Sequence, residues 1–114
     1  MNYTIKGNAI SFPGGKTATF DFPVKEAVEC AGVFAVILDV PQDRIMTENV
    51  FGVSAEGVLL WQIERVSETA SNTVNCYMNI TACEGNAVRV GNWNGWDVDI
   101  DIKSGRVLKK TWVK

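Results

Sequence analysis

Turn signals recur along this chain at intervals that suit hairpins. Gly7-Asn8, Gly14-Gly15, Ala31-Gly32, Glu56-Gly57, Glu84-Gly85-Asn86, Asn94-Gly95 and Ser104-Gly105 each suit a backbone position with positive φ. Between them lie short runs of Val, Ile, Thr, Phe and Trp. These residues fit a pleated, half-buried surface, and short runs joined by tight turns become antiparallel neighbours. The spacing predicts strands at 2–6, 9–12, 17–22, 24–30, 33–40, 49–54, 58–64, 74–81, 87–92, 96–102 and 106–113. The expected fold is all-β: an antiparallel meander of about ten short strands, either barrel-like or a twisted two-sheet sandwich. The length of 114 residues fits one domain, 1–114, and the 46% apolar content supplies a core.

Periodicity assigns faces. Trp96, Val98, Ile100 and Ile102 alternate with Asp97, Asp99 and Asp101, so one side is buried and the other wet. Leu59, Trp61 and Ile63 share a face opposite Gln62 and Glu64. The run 33–38 has no polar member and reads as a strand covered on both sides, in the middle of the fold or at a subunit contact. Its apolar surplus predicts a homo-oligomer, a dimer with a strand face or edge paired across the interface. The stretch 24–30 is ambiguous, since its pattern also fits one or two helical turns.

The chain contains no histidine. That excludes Ser-His-Asp and Cys-His catalysis and the common mixed Cys/His or His-carboxylate zinc sites. No Gly-rich segment forms a phosphate cradle. The 91–95 stretch GNWNG lacks the Lys-Ser/Thr of a P-loop, and FPGGK at 12–16 runs into an alternating strand. No cofactor is therefore expected, and no enzyme activity.

Net charge is −2 and unevenly spread. Residues 1–102 hold six Lys/Arg against thirteen Asp/Glu, a balance of −7, while Lys103, Arg106, Lys109, Lys110 and Lys114 give the last twelve residues +5. A nucleic-acid partner is not expected from an acidic chain. The basic end suits either an acidic or phosphate-bearing partner or the guarding of an edge strand by lysines. Cys30, Cys76 and Cys83 form no CxxC pair, so no structural zinc site is expected. The N-terminus is polar, and the longest apolar run, 32–38, is too short to span a bilayer. These features predict a cytoplasmic protein without a membrane partner, whose three thiols are reduced, buried and unreactive.

Four tryptophans are many for this length. Trp93 and Trp96 bracket Asn94-Gly95, with Asn92 and Asn94 beside them. Such a corner either fills the core or offers an aromatic platform and amides to a small polar ligand such as a sugar. Two long polar loops, 41–48 and 65–73, are the other natural contact regions. Asp97, Asp99 and Asp101 are weak metal candidates. As a calcium loop they fail, because Ile102 stands where Gly is required and Leu108 where Glu is required. Their alternation reads instead as the wet face of a strand.

Residues 50–60 (VFGVSAEGVLL) and 98–108 (VDIDIKSGRVL) form a weak repeat, with Gly57 and Gly105 offset by 48. Strand, Gly turn, then Leu60-Trp61 resembles the inner hairpin of quinoprotein-type and WD-type propeller blades. The chain is too short for a full propeller, so the likeness is read as shared hairpin chemistry. A broader resemblance rests on FDFPVKEAVECAGVFAVILDVP (20–41), ENVFGVSAEGVLLWQIE (48–64) and AVRVGNWNGWDVDIDIKSGRVL (87–108). These segments resemble a group of small bacterial proteins similar to products of mobile gene cassettes in integrons. The resemblance implies an all-β fold and brings no catalytic residues. The expected function is a non-enzymatic binding or interaction protein. The alternatives are a small-molecule or carbohydrate binder using Trp93, Trp96, Asn92 and Asn94, and an immunity-type protein that neutralises a toxin.

Overall fold

The computed structural model describes residues 3–41, 46, 48–64, 76–92 and 95–112. Among them every regular element is a strand: β1 (Thr4–Lys6), β2 (Ala9–Phe12), β3 (Lys16–Thr19), β4 (Val24–Cys30), β5 (Val33–Leu38), β6 (Val50–Ser54), β7 (Leu59–Gln62), β8 (Tyr77–Glu84), β9 (Ala87–Asn92), β10 (Trp96–Asp101) and β11 (Val107–Trp112). They form three antiparallel meanders in succession. The N-terminal sheet is β1-β2-β3, the middle sheet β4-β5-β6-β7 and the C-terminal sheet β8-β9-β10-β11. No barrel closes among the described strands. The all-β expectation is met as a sandwich of three layers, one more than the sequence predicts.

The middle sheet is the shared layer. One of its faces contributes Val24, Ala27, Phe34, Val36, Leu38, Phe51 and Val53 to a core completed by Ile10, Phe12, Ala18 and Phe22 on the N-terminal side. Its other face contributes Cys30, Val33, Ala35, Ile37, Val50, Trp61 and Ile63 to a core shared with Tyr77, Val88, Val90, Val98, Ile100 and Ile102. Every residue of β5 is therefore buried, the odd members on one side and the even members on the other. The unbroken apolar run is satisfied inside one chain. It no longer calls for a second subunit, which removes the reason for expecting a dimer.

β4 explains the helix-like reading of 24–30. A register shift between Val24 and Glu26 displaces the pleat, so Val24 and Ala27 reach the same core despite a spacing of three. Cys30, three residues further on, returns to the opposite face and the other core. A bulge in a strand that sends buried residues to both cores thus imitates helical periodicity.

The weak repeat is one sheet period. Its copies are the last hairpins of the middle and C-terminal sheets. In each, the turn glycine has positive φ and rests on the last strand of the preceding sheet. A Cβ on Gly57 would lie 2.8 Å from the backbone nitrogen of Thr17, and one on Gly105 would lie 2.6 Å from the Trp61 ring. Two successive hairpin turns thus rest on the preceding sheet in the same way. Trp61 itself lies across Gly52, where a Cβ would approach within 2.1 Å of the indole, and its Nε1–H donates to the Ile102 carbonyl at 2.7 Å.

A second join corrects the cysteine reading. Cys30 and Cys83 form a disulfide, Cα–Cα 5.9 Å, between the end of β4 and β8. Cys76 is the free cysteine. The three thiols are thus not all reduced, and the cytoplasmic address inferred from them loses that support, because disulfides persist mainly in oxidising compartments. No helix among the described residues is long and apolar enough to cross a membrane.

Candidate functional site

Described residues that border the segments singled out by sequence come together at one end of the stack. Leu38 and Asn49 flank the first long segment, and Glu64 and Cys76 flank the second. Asn49 joins them. Its amide nitrogen donates to the Leu38 and Tyr77 carbonyls, both at 2.9 Å, and its Oδ1 accepts the Tyr77 N–H at 2.8 Å. This side chain is fully buried. Nothing in its residue type marks it in the sequence, since asparagine beside a strand usually reads as a turn.

Tyr77 stands opposite Asn92 in the β8–β9 register, which carries the clamp across to the tryptophan corner. Asn92 is buried at the end of β9, and its carbonyl accepts the Gly95 N–H at 3.1 Å, closing a four-residue turn. Gly95 takes φ 94°, a position that strongly favours glycine. Trp93 and Asn94 lie outside the described residues, as do 42–45, 47 and 65–75 of the long segments.

Trp96 opens β10 and is half-buried. Its partner is Trp112, directly across the β10–β11 register, with ring centroids 5.2 Å apart at 61°. Edge-to-face pairs of this kind match the positive ring edge to the negative face. Trp112 remains 53% exposed, so the pair presents an open aromatic surface. The sequence reading missed Trp112 as a site residue. Counting back across the Ser104-Gly105 hairpin would have placed it near Trp96.

The three aspartates point away from both cores and do not act together. Asp99 takes a two-pronged hydrogen bond from Arg89, with Nε at 2.7 Å and Nη2 at 3.2 Å. That bond raises the Arg89 pKa further and holds the guanidinium charged. Asp101 caps its own turn by accepting the Ser104 hydroxyl at 2.8 Å. Asp97 faces Gly91 and Thr111 across the sheet. Among the described residues no cluster of three Asp, Glu, Cys or His side chains is arranged to hold a metal ion. A depression of about 160 Å³ on this outer face is lined by Ala82, Glu84, Ala87, Val88, Arg89 and Asp99. It is smaller than the roughly 300–1,000 Å³ of ligand sites, and its main charged lining is the ion pair itself.

A family model described as Domain of unknown function (DUF7957) matches residues 1–112. The chain belongs to this family. No curated protein matches this DUF7957 chain. Among solved structures it is similar to the computationally designed Ika8 protein, crystallised in P63, with a TM-score of 0.63 and 14% identity. The alignment covers all of this chain and 35% of the designed one, so the DUF7957 chain spans about a third of that protein's length. At that identity the likeness concerns the fold alone.

Proposed function

We propose that this DUF7957 protein is a non-enzymatic binding module, and that it takes a small polar ring compound, of the sugar type, at the Trp96–Trp112 corner. The observation that carries the reading is the half-open tryptophan pair set on a rigid platform. An exposed aromatic face loses water readily and stacks on the apolar face of a sugar ring. Below the pair, Asn92 and Tyr77 are buried and the Asn49 clamp is fully hydrogen-bonded. The corner is therefore preorganised, which lowers the entropic cost of binding.

Tryptophan fluorescence titration against panels of monosaccharides, oligosaccharides and nucleotides tests the reading. The expected result is a saturable shift with members of the sugar panel that is lost in Trp112→Ala. That variant removes an exposed side chain and keeps the core. A flat response across the panels, or a response unchanged in Trp112→Ala, refutes it.

A further inference from the structure

A different surface, the outer edge of the C-terminal sheet, has its own chemistry. β11 ends that sheet, and no described strand pairs with its outer side. Along it Leu108 is 59% exposed, the most open large apolar side chain among the described residues. Arg106, Lys109 and Lys110 are exposed on the same strand or at its start, and the described stretch 103–112 contains four cations and no acidic residue. The middle sheet ends on the same side of the stack. Glu64, just beyond β7, accepts the Val107 N–H at 2.6 Å, and Trp61 of β7 packs on Gly105. At the start of β7, beside the turn that rests on Thr17, Val58, Leu59 and Leu60 form three consecutive exposed apolar residues. Such a run is unusual on a surface that meets only water.

We infer that the β11 edge is a docking strip for an extended acidic polypeptide segment, which adds as a strand beside Leu108, Lys109 and Lys110. Strand addition takes its affinity from backbone hydrogen bonds to an open edge and its specificity from alternate side chains. The charge selects the partner. An incoming segment with carboxylates on alternate residues meets Arg106 and Lys109, and its apolar residues meet Leu108. Asp99, across the register from Lys109, is already engaged by Arg89. A bulge at Leu108, where the register shifts between Asp99 and Ile100, limits indiscriminate pairing without closing the edge.

The test uses the full chain and a fluorescein-labelled eight-residue peptide of alternating valine and glutamate, followed by anisotropy. The valine–lysine counterpart and a labelled single-stranded oligonucleotide run in parallel. Binding of the glutamate peptide is expected, weakening as NaCl rises. It should fall at least tenfold in the double variant Arg106→Glu, Lys109→Glu, with amide NMR shifts centred on β11 in the parent chain. The Arg106→Glu, Lys109→Glu variant should keep the tryptophan-fluorescence response to sugars of the parent chain, which separates this edge from the corner proposed above. Four outcomes overturn the inference: no binding of the glutamate peptide; equal binding of the lysine peptide; tighter binding of the oligonucleotide, which marks a phosphate surface; or sedimentation showing a dimer whose edge is already occupied by a second copy.

Discussion

Replacing Asn49 by leucine isolates the polar clamp that organises the loop end. The two side chains have similar volume, so the change removes hydrogen bonds without opening a large cavity. Three bonds disappear, two donated by Nδ2 and one accepted by Oδ1. The Tyr77 N–H and carbonyl lose a partner inside a fully buried site, and so does the Leu38 carbonyl. Each buried backbone group left unpaired costs about 1–3 kcal/mol, and the added apolar burial returns about 1.5 kcal/mol. Taking about 2 kcal/mol for each of the three groups, the expected net loss is about 4.5 kcal/mol, a large part of the roughly 5–15 kcal/mol that holds a domain together. For a chain of this length that lowers Tm by about 12–20 °C. Urea unfolding followed by far-UV circular dichroism reads it as a lower midpoint with an unchanged m-value. A loss under about 1 kcal/mol would mean that the clamp is ornamental and that Tyr77 and Leu38 find other partners. The reasoning that calls the tryptophan corner preorganised would then fall with it.

Further outcomes follow from other contacts. Denatured without reductant, the chain should show one titratable thiol, Cys76, and three after reduction; three without reduction would contradict the Cys30–Cys83 bond. Reduction frees a 53-residue separation and should cost about 2–4 kcal/mol, measured as a fall in the urea midpoint. Gly52→Ala places a methyl 2.1 Å from an indole pinned by Ile102 and Gly105, and should destabilise by about 2–3 kcal/mol; a midpoint within error of the parent would show that Trp61 moves freely. Burial raises the Cys76 pKa above its ordinary value, so less thiolate exists at neutral pH and the rate of alkylation should climb only at higher pH than for free cysteine. The same sign makes its stability contribution fall as pH rises past the unfolded thiol value. Alkylation at pH 7.5 as fast as free cysteine would contradict this.

Local signals made most of the strands legible. Gly57 and Gly105 marked turns because their φ values are open to glycine and strained for other residues. The alternation in 96–102 assigned Val98 and Ile100 to the core and the aspartates to the outside, where the structure places them. The candidate site was half legible. Asn92 and Trp96 lie at the predicted corner, whereas Trp112 and Asn49 join it only through pairing, one by register across a hairpin and the other by bonds to Leu38 and Tyr77.

What the sequence determined by itself was the alphabet of short antiparallel strands, because turn chemistry and two-residue periodicity act between neighbours. The tertiary structure decided which surfaces face each other. It put sheets on both faces of β5, which places that strand in the middle of the fold, one of the two positions its apolar run allows. It also brought Cys30 to Cys83 across 53 residues, a pairing that an odd number of widely spaced cysteines does not announce. The physical reason is the same in both cases. A residue's preference for burial or pairing is a local property, but what satisfies it is a partner that only the folded chain supplies.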